Sequence, residues 1–434
     1  MNLNTLKQFR HDIYACLTKS ADALFNTMDA LVSEPQAHSF PELSLSPFFE
    51  RQWSSLYEAF EDGRIDRTQL RRVLASFAPK PQEDQRMWIA VDASNIARPE
   101  STTARDRTPI YIPNLPESGK PMTVGWQFST VVVLPMHPSS WTYVLDSQRI
   151  DSSQTATQVA ASQLHLLVAL LPKRVIVTAD RWYGSTQFLL LLAQTACDQL
   201  LRLKSNRVLY RPAPARTGKR GAPRKDGERF QCKQETTHGT ADEQWEGTDE
   251  QGHPLVVSCW HGLHFQQARD VQVTVIKVVR PRASERKRDP KVSWFLWHGT
   301  TALPLSEVYA GYKRRYAQEH GYRFEKQALL WDGPRLRTPE QFERWTEVVA
   351  VVHDELHLAR EGQQKMYRPW ENQSRPVTPQ QVRRVMPRIL AQVGTPARPP
   401  QRRGKSPGRS FEAPIHPAPR YEVVRKAKKG KSAS

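Results

Sequence analysis

The chain has 434 residues, and its 63 lysines and arginines against 44 aspartates and glutamates give a formal net charge of +19 at pH 7. This length allows two or more domains, and a hydrophobic content of 38% is enough to bury a core. The polar N-terminus, the short apolar stretches and four cysteines without a paired pattern exclude a signal peptide, a membrane span and a disulfide framework, and predict a cytoplasmic protein.

Residues 1–84 are predicted to form a small helical domain. Helical patterns cover 5–31 and 47–61, and a third helix follows Asp66, a residue type that caps helix N-termini. This last helix brings four arginines together, and both contact with DNA and simple solvation remain open for them. They are Arg64, Arg67, Arg71 and Arg72.

Residues 85–204 change to an alternation of strands and helices. Their predicted order is strands at 87–94, 125–135 and 141–146, a helix at 154–171, a strand at 174–180, a helix at 184–196 and a strand at 198–204. Three strands, helix, strand, helix, strand is the order of an RNase H-like fold. We therefore predict an α/β protein with an RNase H-like mixed sheet flanked by helices.

Residues 205–300 interrupt this unit with a basic loop and a β-rich insertion, whose predicted strands are 254–260, 270–279 and 292–299. The second part of the core, 301–362, contains helical patterns at 305–320 and 339–360. Residues 363–434 hold a helix at 379–392, interrupted by Pro387, and a basic proline-rich tail that we predict to be disordered.

The positive charge is concentrated in two segments. Residues 202–233 and 398–434 each hold 11 basic and 2 acidic side chains, so they carry +18 of the +19. Phosphate backbones are the commonest target of such segments. An acidic membrane surface is the weaker alternative, because neither segment has an amphipathic apolar face. A nucleic acid is therefore the expected partner.

Two aspartates follow apolar strands. Asp92 ends the strand at 87–94, and Asp180 ends the strand at 174–180. The first and fourth strands of an RNase H-like sheet are neighbours, so these two carboxylates are predicted to meet in one site. Mg²⁺ takes few protein carboxylates and keeps other oxygens as its remaining ligands. The alternative is that each aspartate only caps a turn or the next helix.

A third acid lies in the segment AGYKRRYAQEHGYRFEKQAL, where Tyr312, Arg315, Glu319 and Lys326 have the spacing Y-(2)-R-(3)-E-(6)-K. At about 100° per residue the four side chains fall within an arc of about 60° on one helix face. A tyrosine, two cations and a carboxylate make a poor core but are suited to binding a metal and a phosphate backbone. The alternative is a surface ion pair between Arg315 and Glu319.

With these acids and the β insertion, the sequence resembles the bacterial insertion-sequence transposases of the DDE superfamily that carry the Y-R-E-K signature. The resemblance spans roughly 85–360. It implies that Asp92, Asp180 and Glu319 bind Mg²⁺ or Mn²⁺, as two ions, and that Tyr312, Arg315 and Lys326 hold DNA near the scissile phosphate. It also implies that a homodimer or larger assembly on the nucleoid cuts the element's terminal inverted repeats and joins them to target DNA.

Several rivals remain. Asp151 and Asp270 rank below Asp180 as acids, because Asp151 precedes a helix and Asp270 opens a strand. The protein could be a catalytically silent, transposase-derived DNA-binding regulator, or an RNase H-like nuclease that acts on junctions or hybrids.

The resemblance and the charge pattern together suggest further contacts with DNA. Trp294 or Trp297 in the insertion could stack on a displaced base, with Trp297 favoured and core packing as the alternative for each. The other candidates lie beside Asp180, at the exit of the fifth strand, in the basic loop and in the tail. They are Arg181, Tyr183, Lys204, Arg207, Lys219, Arg220, Arg224, Lys225, Arg402, Arg403 and Lys405.

Two cofactors are not expected. Cys259, His261 and His264, with Cys232 upstream, have a zinc-like composition, but side chains on a strand are not predicted to converge. A Walker A sequence is absent from the chain, so no nucleotide cofactor is predicted.

Overall fold

The structure is a computed structural model. It describes residues 3–83, 85–112, 121–215, 222–281, 291–360, 367–401, 410–412 and 416–426. The described helices are α1 (Leu3–Ala15), α2 (Ala21–Ser33), α3 (Phe40–Leu43), α4 (Trp53–Asp62), α5 (Arg67–Phe77), α6 (Ala156–Val168), α7 (Thr186–Leu192), α8 (Leu305–Lys313), α9 (Tyr316–Gln327), α10 (Pro339–Ala359) and α11 (Pro379–Val393).

The described strands alternate with these helices along the chain. They are β1 (Leu17–Lys19), β2 (Arg64–Ile65), β3 (Met87–Ala97), β4 (Thr108–Tyr111), β5 (Met122–Val133), β6 (Tyr143–Ile150), β7 (Val175–Ala179), β8 (Cys197–Leu203), β9 (Val208–Tyr210), β10 (Arg229–Gln231), β11 (Glu243–Thr248), β12 (Pro254–Phe265), β13 (Ala268–Val279) and β14 (Val292–His298).

Twelve of these strands form one mixed sheet in the order β10-β9-β12-β13-β14-β8-β7-β3-β5-β4, with β11 on β12 and β6 on β5. β7 pairs in parallel with β3 on one side and β8 on the other, and its five residues, VIVTA, are all buried. A strand between two parallel neighbours is expected to be apolar throughout. The predicted adjacency of the first and fourth core strands, β3 and β7, is confirmed, and the sheet is consistent with an RNase H-like fold.

Helix α10 joins the sheet to the N-terminal helices. Its N-terminus is fixed by a capping box between Thr338 and Gln341, with Pro339 in the first turn. It packs against β6 and against α1, α2, α4 and α11. The helix predicted at 339–360 is confirmed, and nearly all of its length is buried rather than one face alone.

The single helix predicted at 5–31 is wrong. The chain leaves the helical conformation after Ala15, forms β1 and restarts as α2. Ser20 has a left-handed φ of 55°, and Leu17 pairs with Ile65 of β2. The pairing is a contact distant in sequence, so local periodicity does not reveal it. The helix predicted from residue 47 begins only at Trp53, but Asp66 caps α5 as predicted.

The strands predicted between 254 and 299 are confirmed as β12, β13 and β14, but three short strands before them and β4 were missed. β14 pairs with β8, so the strands of the β-rich region extend the same sheet as the core strands. β9 and β10 pair at the two ends of the basic loop. Strands as short as β4, β9 and β10 carry too little periodicity to predict, because their pairing partners define them. β11 has six residues, but none of them is buried, so it lacks the apolar alternation that marks a strand.

The basic tail is not disordered throughout. The backbone N–H groups of Tyr421 and Val424 donate to the carbonyls of Thr102 and Arg107, both at 2.8 Å. The prediction of a disordered tail is therefore wrong for this part of it. Within the described residues, every helix is too short or too polar to cross a membrane.

Two of the four arginines considered for DNA contact face other parts of the protein. Arg67 on α5 contacts Glu343 at 2.7 Å and also Glu347, and Arg71 contacts Asp146 at 2.9 Å. These contacts favour a role in holding α5 against α10 and β6.

A buried guanidinium links the N-terminal helices to α10. Arg10 lies 2.7 Å from Asp29 and 2.5 Å from Glu355, and the side chains of all three are at most 3% exposed. Arg10 also donates to the carbonyl of Gly394 at 3.1 Å, at the end of α11. One side chain on α1 thus contacts α2, α10 and α11.

We expect Arg10→Ala to lower the free energy of unfolding by about 3–5 kcal/mol, because it leaves two buried carboxylates without a cation. Lys19→Ala is the control, since the Lys19–Asp62 pair is more than half exposed and should contribute less than about 1 kcal/mol. Urea unfolding followed by circular dichroism measures both variants. Equal losses would contradict this role for Arg10.

Candidate active site

The parallel register of β3 and β7 places two acids side by side. Val91 pairs with Ala179, so the next residues, Asp92 and Asp180, lie side by side where β7 ends. The prediction that Asp92 ends its strand is wrong, because β3 continues to Ala97 by pairing with β5. One oxygen of Asp92 accepts from the N–H of Ala93 at 2.8 Å. Asp180 accepts from the N–H of Trp182 at 2.8 Å, so it does close a turn as the structural alternative proposed. Asp180 therefore has two properties: it closes a turn, and it lies beside Asp92.

Helices α8 and α9 bring the third acid to this edge. Arg315, at the junction of the two helices, donates through Nη1 to Asp92 and through Nη2 to Glu319, each at 3.1 Å. The ion pair between Arg315 and Glu319, which was the alternative to a functional site, is present. Arg315 is only 9% exposed, however, and it also binds Asp92 on β3. Side chains of β3, β7 and α9 therefore meet in one cluster.

The electrostatics of the cluster show an excess of negative charge. The pKa of Asp92 is raised to about 6, mainly by burial and also by the carboxylates of Asp180 and Glu319, while Arg315 and the N–H of Ala93 act to lower it. Burial alone would lower the pKa of Arg315, but Tyr312 and the nearby acids raise it, so the guanidinium stays charged. A cation in addition to Arg315 would reduce the repulsion among the three carboxylates.

The donor set fits a divalent metal ion. Three carboxylates supply hard oxygen ligands, the type that Mg²⁺ and Mn²⁺ prefer. The hydroxyl of Tyr183 is buried without a hydrogen-bond partner among the described residues, and Asp92 and Asp180 are close enough to help raise its pKa after the larger effect of burial. A buried hydroxyl without a hydrogen-bond partner, next to carboxylates whose charge is not neutralised, is consistent with a site that binds further ligands.

The other two signature side chains also face the sheet. Lys326 donates to the backbone carbonyl of Asn95 on β3 at 2.8 Å. The ring of Tyr312 is buried edge-on against Phe295, 4.8 Å between centroids, and the guanidinium of Arg315 lies 5.7 Å from its centre. The prediction of one continuous helix is wrong, because Tyr312 lies on α8, Arg315 lies at the turn after it, and Lys326 lies on α9. Arg315 and Lys326 nevertheless both contact β3. The roles of the four side chains toward DNA stay predictions.

Gly311 sets how closely α8 approaches the sheet. A Cβ atom at this position would lie 2.3 Å from the indole of Trp88 on β3. A side chain there would force either the helix or the buried indole to move. Tyr312 directly follows Gly311, so the close contact between α8 and Trp88 also fixes the position of the first signature residue.

Two positioning residues were missed in the sequence. Gln318 donates to the carbonyl of Thr130 on β5 at 2.9 Å and to the hydroxyl of Tyr322 at 3.2 Å. Tyr322 donates to the carbonyl of Asp92 at 2.9 Å. At about 100° per residue both fall within about 60° of Arg315, so the helical face already contained the signal.

A cleft of about 430 Å³ lies beside Asp180. Trp182 is 68% exposed there, and the ammonium of Lys204 lies 4.1 Å from the centre of its ring. Arg202 on β8 lines the same cleft and was also missed, as was Trp182. Arg181 and Lys204 were predicted as DNA contacts, but the cleft itself was not, because the turn after β7, the end of β8 and the start of β14 contribute it from separate segments.

The remaining candidates are more scattered. Arg181 is exposed and lines this cleft, Tyr183 is buried, and Arg207 is partly buried with its backbone carbonyl bonded to the N–H of Cys232. Arg224 and Lys225 are exposed in the basic loop. Five others lie outside the described residues: Lys219, Arg220, Arg402, Arg403 and Lys405.

The two insertion tryptophans are both buried. Trp294 lies among Phe230, His238 and Trp260, and Trp297 belongs to a second apolar cluster, so they do point to opposite faces of the sheet. Trp297 is only 6% exposed. Burial favours the packing alternative for both rings, whereas Trp182 is the exposed aromatic next to the acids.

Comparison with known proteins identifies a family. A family model described as DDE superfamily endonuclease matches residues 12–256, more than half of the chain. The matched range contains Asp92 and Asp180 and ends within β12, so Glu319 lies beyond it. No curated protein matches the chain significantly. The place of Glu319 in the cluster rests on its contact with Arg315.

We expect Arg315→Gln to raise the pKa of Asp92 above its value of about 6, since the guanidinium is the charge that lowers it. A pH titration by carboxyl NMR of aspartate-labelled protein measures the pKa, and Asp92→Asn identifies the signal. Arg323→Gln, an exposed arginine on the same helix, is the control and should leave the pKa unchanged. An unshifted Asp92 in Arg315→Gln would show that the contact carries little energy.

Proposed function

This chain belongs to the DDE superfamily of endonucleases, which act on DNA and generally use divalent metal ions, and we propose that it is the transposase of a bacterial insertion sequence. It cuts DNA at the ends of its element and joins the freed 3′-OH ends to target DNA. The supporting observation is that Arg315 contacts both Asp92 and Glu319 while strand pairing sets Asp180 beside Asp92.

Asp92, Asp180 and Glu319 would hold the metal, which we propose to be two Mg²⁺ or Mn²⁺ ions. When bound, such ions activate the attacking oxygen and stabilise the charge on the leaving oxygen of a phosphodiester. Both steps of the proposed reaction are in-line displacements at phosphorus. In the first step a water oxygen attacks the phosphorus and a 3′-OH leaves. In the second step that 3′-OH attacks a phosphorus of the target strand and the 3′-oxygen of the target strand leaves.

The protein orients the acids before any ligand arrives. Arg315 and the N–H of Ala93 each bind one oxygen of Asp92, so its carboxylate is held from two sides. Tyr322 and Gln318 hold α9, which carries Glu319, against β3 and β5. Preorganised charges of this kind need no rearrangement during the reaction.

The DNA is proposed to pass the cleft beside Asp180. Arg181, Arg202 and Lys204 supply positive charge there, and Trp182 supplies an exposed ring against which a base or sugar can pack. Tyr312, Lys326, the basic loop and the tail are proposed to bind the backbone on either side. This arrangement favours an enzyme over the catalytically silent regulator, since the acids and the basic cleft adjoin.

We further propose a division of labour along the chain. Residues 1–84 would bind the element ends, 85–204 and 301–362 would form the catalytic core, 205–300 would be an insertion that contacts DNA, and 363–434 would add a basic segment. Joining two ends of one element requires at least two copies of the protein on DNA, so we propose a dimer or larger assembly on the nucleoid.

We expect Asp92→Asn, Asp180→Asn and Glu319→Gln each to reduce cleavage by at least a hundredfold, because each change removes a charged oxygen ligand. The assay is cleavage and strand transfer with Mg²⁺ or Mn²⁺ on DNA that carries the element's own ends. Asp270→Asn is the matched control, because this exposed acid opens β13.

Cleavage that survives in the three variants would disprove the triad. Cleavage of hybrids or junctions without any preference for the element ends would instead support the nuclease alternative. Binding without cleavage under either metal would support the regulator.

We expect Lys204→Ala to weaken DNA binding and to reduce the slope of log K against log salt by about 0.9, the value for one lost contact with duplex phosphate. Fluorescence anisotropy at several salt concentrations measures the slope. Lys173→Ala is the control, because Lys173 precedes β7 at the strand end opposite Asp180 and binds two backbone carbonyls. An equal slope change in both variants would contradict the proposed path.

A further inference from the structure

A second group of metal-ligating side chains lies on the β-rich part of the sheet, outside the acid cluster. Glu243 on β11 pairs directly with Cys259 on β12, and His261 follows two residues later on the same face of β12. The expectation that the cysteine and histidine do not converge is wrong for this pair. His264 instead contacts Asp226 at 3.1 Å.

The distances within the group suit a tetrahedral ion. The Sγ of Cys259 lies 3.5 Å from the Nε2 of His261, and this Nε2 lies 2.9 Å from an oxygen of Glu243. All three ligand atoms lie within 4.8 Å of one another. Tetrahedral zinc with ordinary bond lengths places sulfur and nitrogen about 3.5 Å apart and nitrogen and oxygen about 3.3 Å apart. The sulfur–nitrogen distance already matches this geometry, and Glu243, the exposed ligand, can adjust to complete it.

The orientation of His261 is fixed by groups outside the three ligands. Its Nδ1 lies 2.9 Å from the hydroxyl of Thr274 on β13, and its backbone N–H donates to Asp242 at 2.7 Å. A hydrogen bond at Nδ1 leaves Nε2 directed at Cys259 and Glu243. Histidine ligands of metals are typically held through their second nitrogen in this way.

We propose that Glu243, Cys259 and His261 bind one Zn²⁺ ion, with a solvent molecule in the fourth position. A thiolate and an imidazole select zinc over the hard ions that suit the all-carboxylate cluster at Asp92. On binding, the Cys259 thiol releases its proton to solvent and the thiolate coordinates the ion. This inference does not depend on the proposed transposase activity.

The ion would tie β11 to β12 at the end of the strand pair opposite its hairpin turn. The hairpin between these two strands contacts α8, because Lys313 donates to the side chain of Gln251 at 2.5 Å. Lys313 directly follows Tyr312. The zinc would therefore stabilise the strand pair from which this contact extends.

The test uses the full-length protein, purified, loaded with ZnCl₂ and dialysed, with zinc measured by mass spectrometry. We expect one tightly held Zn²⁺ per chain, lost in Cys259→Ser and in His261→Gln. In the Co²⁺-loaded protein we also expect a thiolate-to-cobalt absorption band, which disappears in Cys259→Ser. An all-carboxylate site cannot produce that band.

Two controls separate this site from the acid cluster and from misfolding. Cys232→Ser, another buried cysteine, and Asp92→Asn should both retain the zinc and the cobalt band. Circular dichroism checks that each variant is folded. Wild-type protein that keeps no zinc after dialysis, or zinc and cobalt signals that persist in Cys259→Ser, would overturn the proposal.

Discussion

The parallel pairing of β3 with β7 determines where chemistry can occur in this protein. Backbone hydrogen bonds fix the register, so Asp92 and Asp180 cannot separate without breaking the centre of the sheet. The apolar residues before them are buried, which ties the position of both carboxylates to the core itself. Glu319 arrives from a segment more than a hundred residues later, and Arg315 makes the connection. The strands therefore fix the positions of the two aspartates, and α9 adds the third carboxylate.

Buried charge is used twice in the molecule, in different ways. Around Arg10 the two carboxylates and the guanidinium are almost fully enclosed, and the group holds α1, α2 and α10 together. Around Arg315 the acids outnumber the cation and remain partly open, with Glu319 46% exposed. Carboxylates outnumber the cation in both groups, so the difference lies in access: an enclosed group contributes to folding, whereas a partly open one leaves its negative charge available to a ligand. The contrast separates a structural ion network from a functional one on physical grounds.

Much of the core and of the acid cluster could be predicted from the sequence, because apolar strands and a helical face leave strong periodic patterns. Asp92, Asp180 and the Tyr312–Lys326 face are of this kind. Features defined by contacts between distant segments could not be predicted, such as the helix break at Ser20, which accompanies β1–β2 pairing, and the cleft around Trp182. The approach of Cys259 to His261 was within reach, since residues two apart on a strand share a face.

The absence of a side chain at Gly311 has a mechanical consequence. Because Gly311 has no side chain, its backbone can lie directly against the Trp88 indole, and this contact sets the distance between α8 and the sheet. Arg315 follows at the turn between α8 and α9, so any lift of α8 would widen the gap between Glu319 and the two aspartates, Asp92 and Asp180. Displacements of about 1 Å in a reacting geometry can cost about a hundredfold in rate. Gly311, although it contacts no ligand, would thus determine how far Glu319 lies from Asp92 and Asp180.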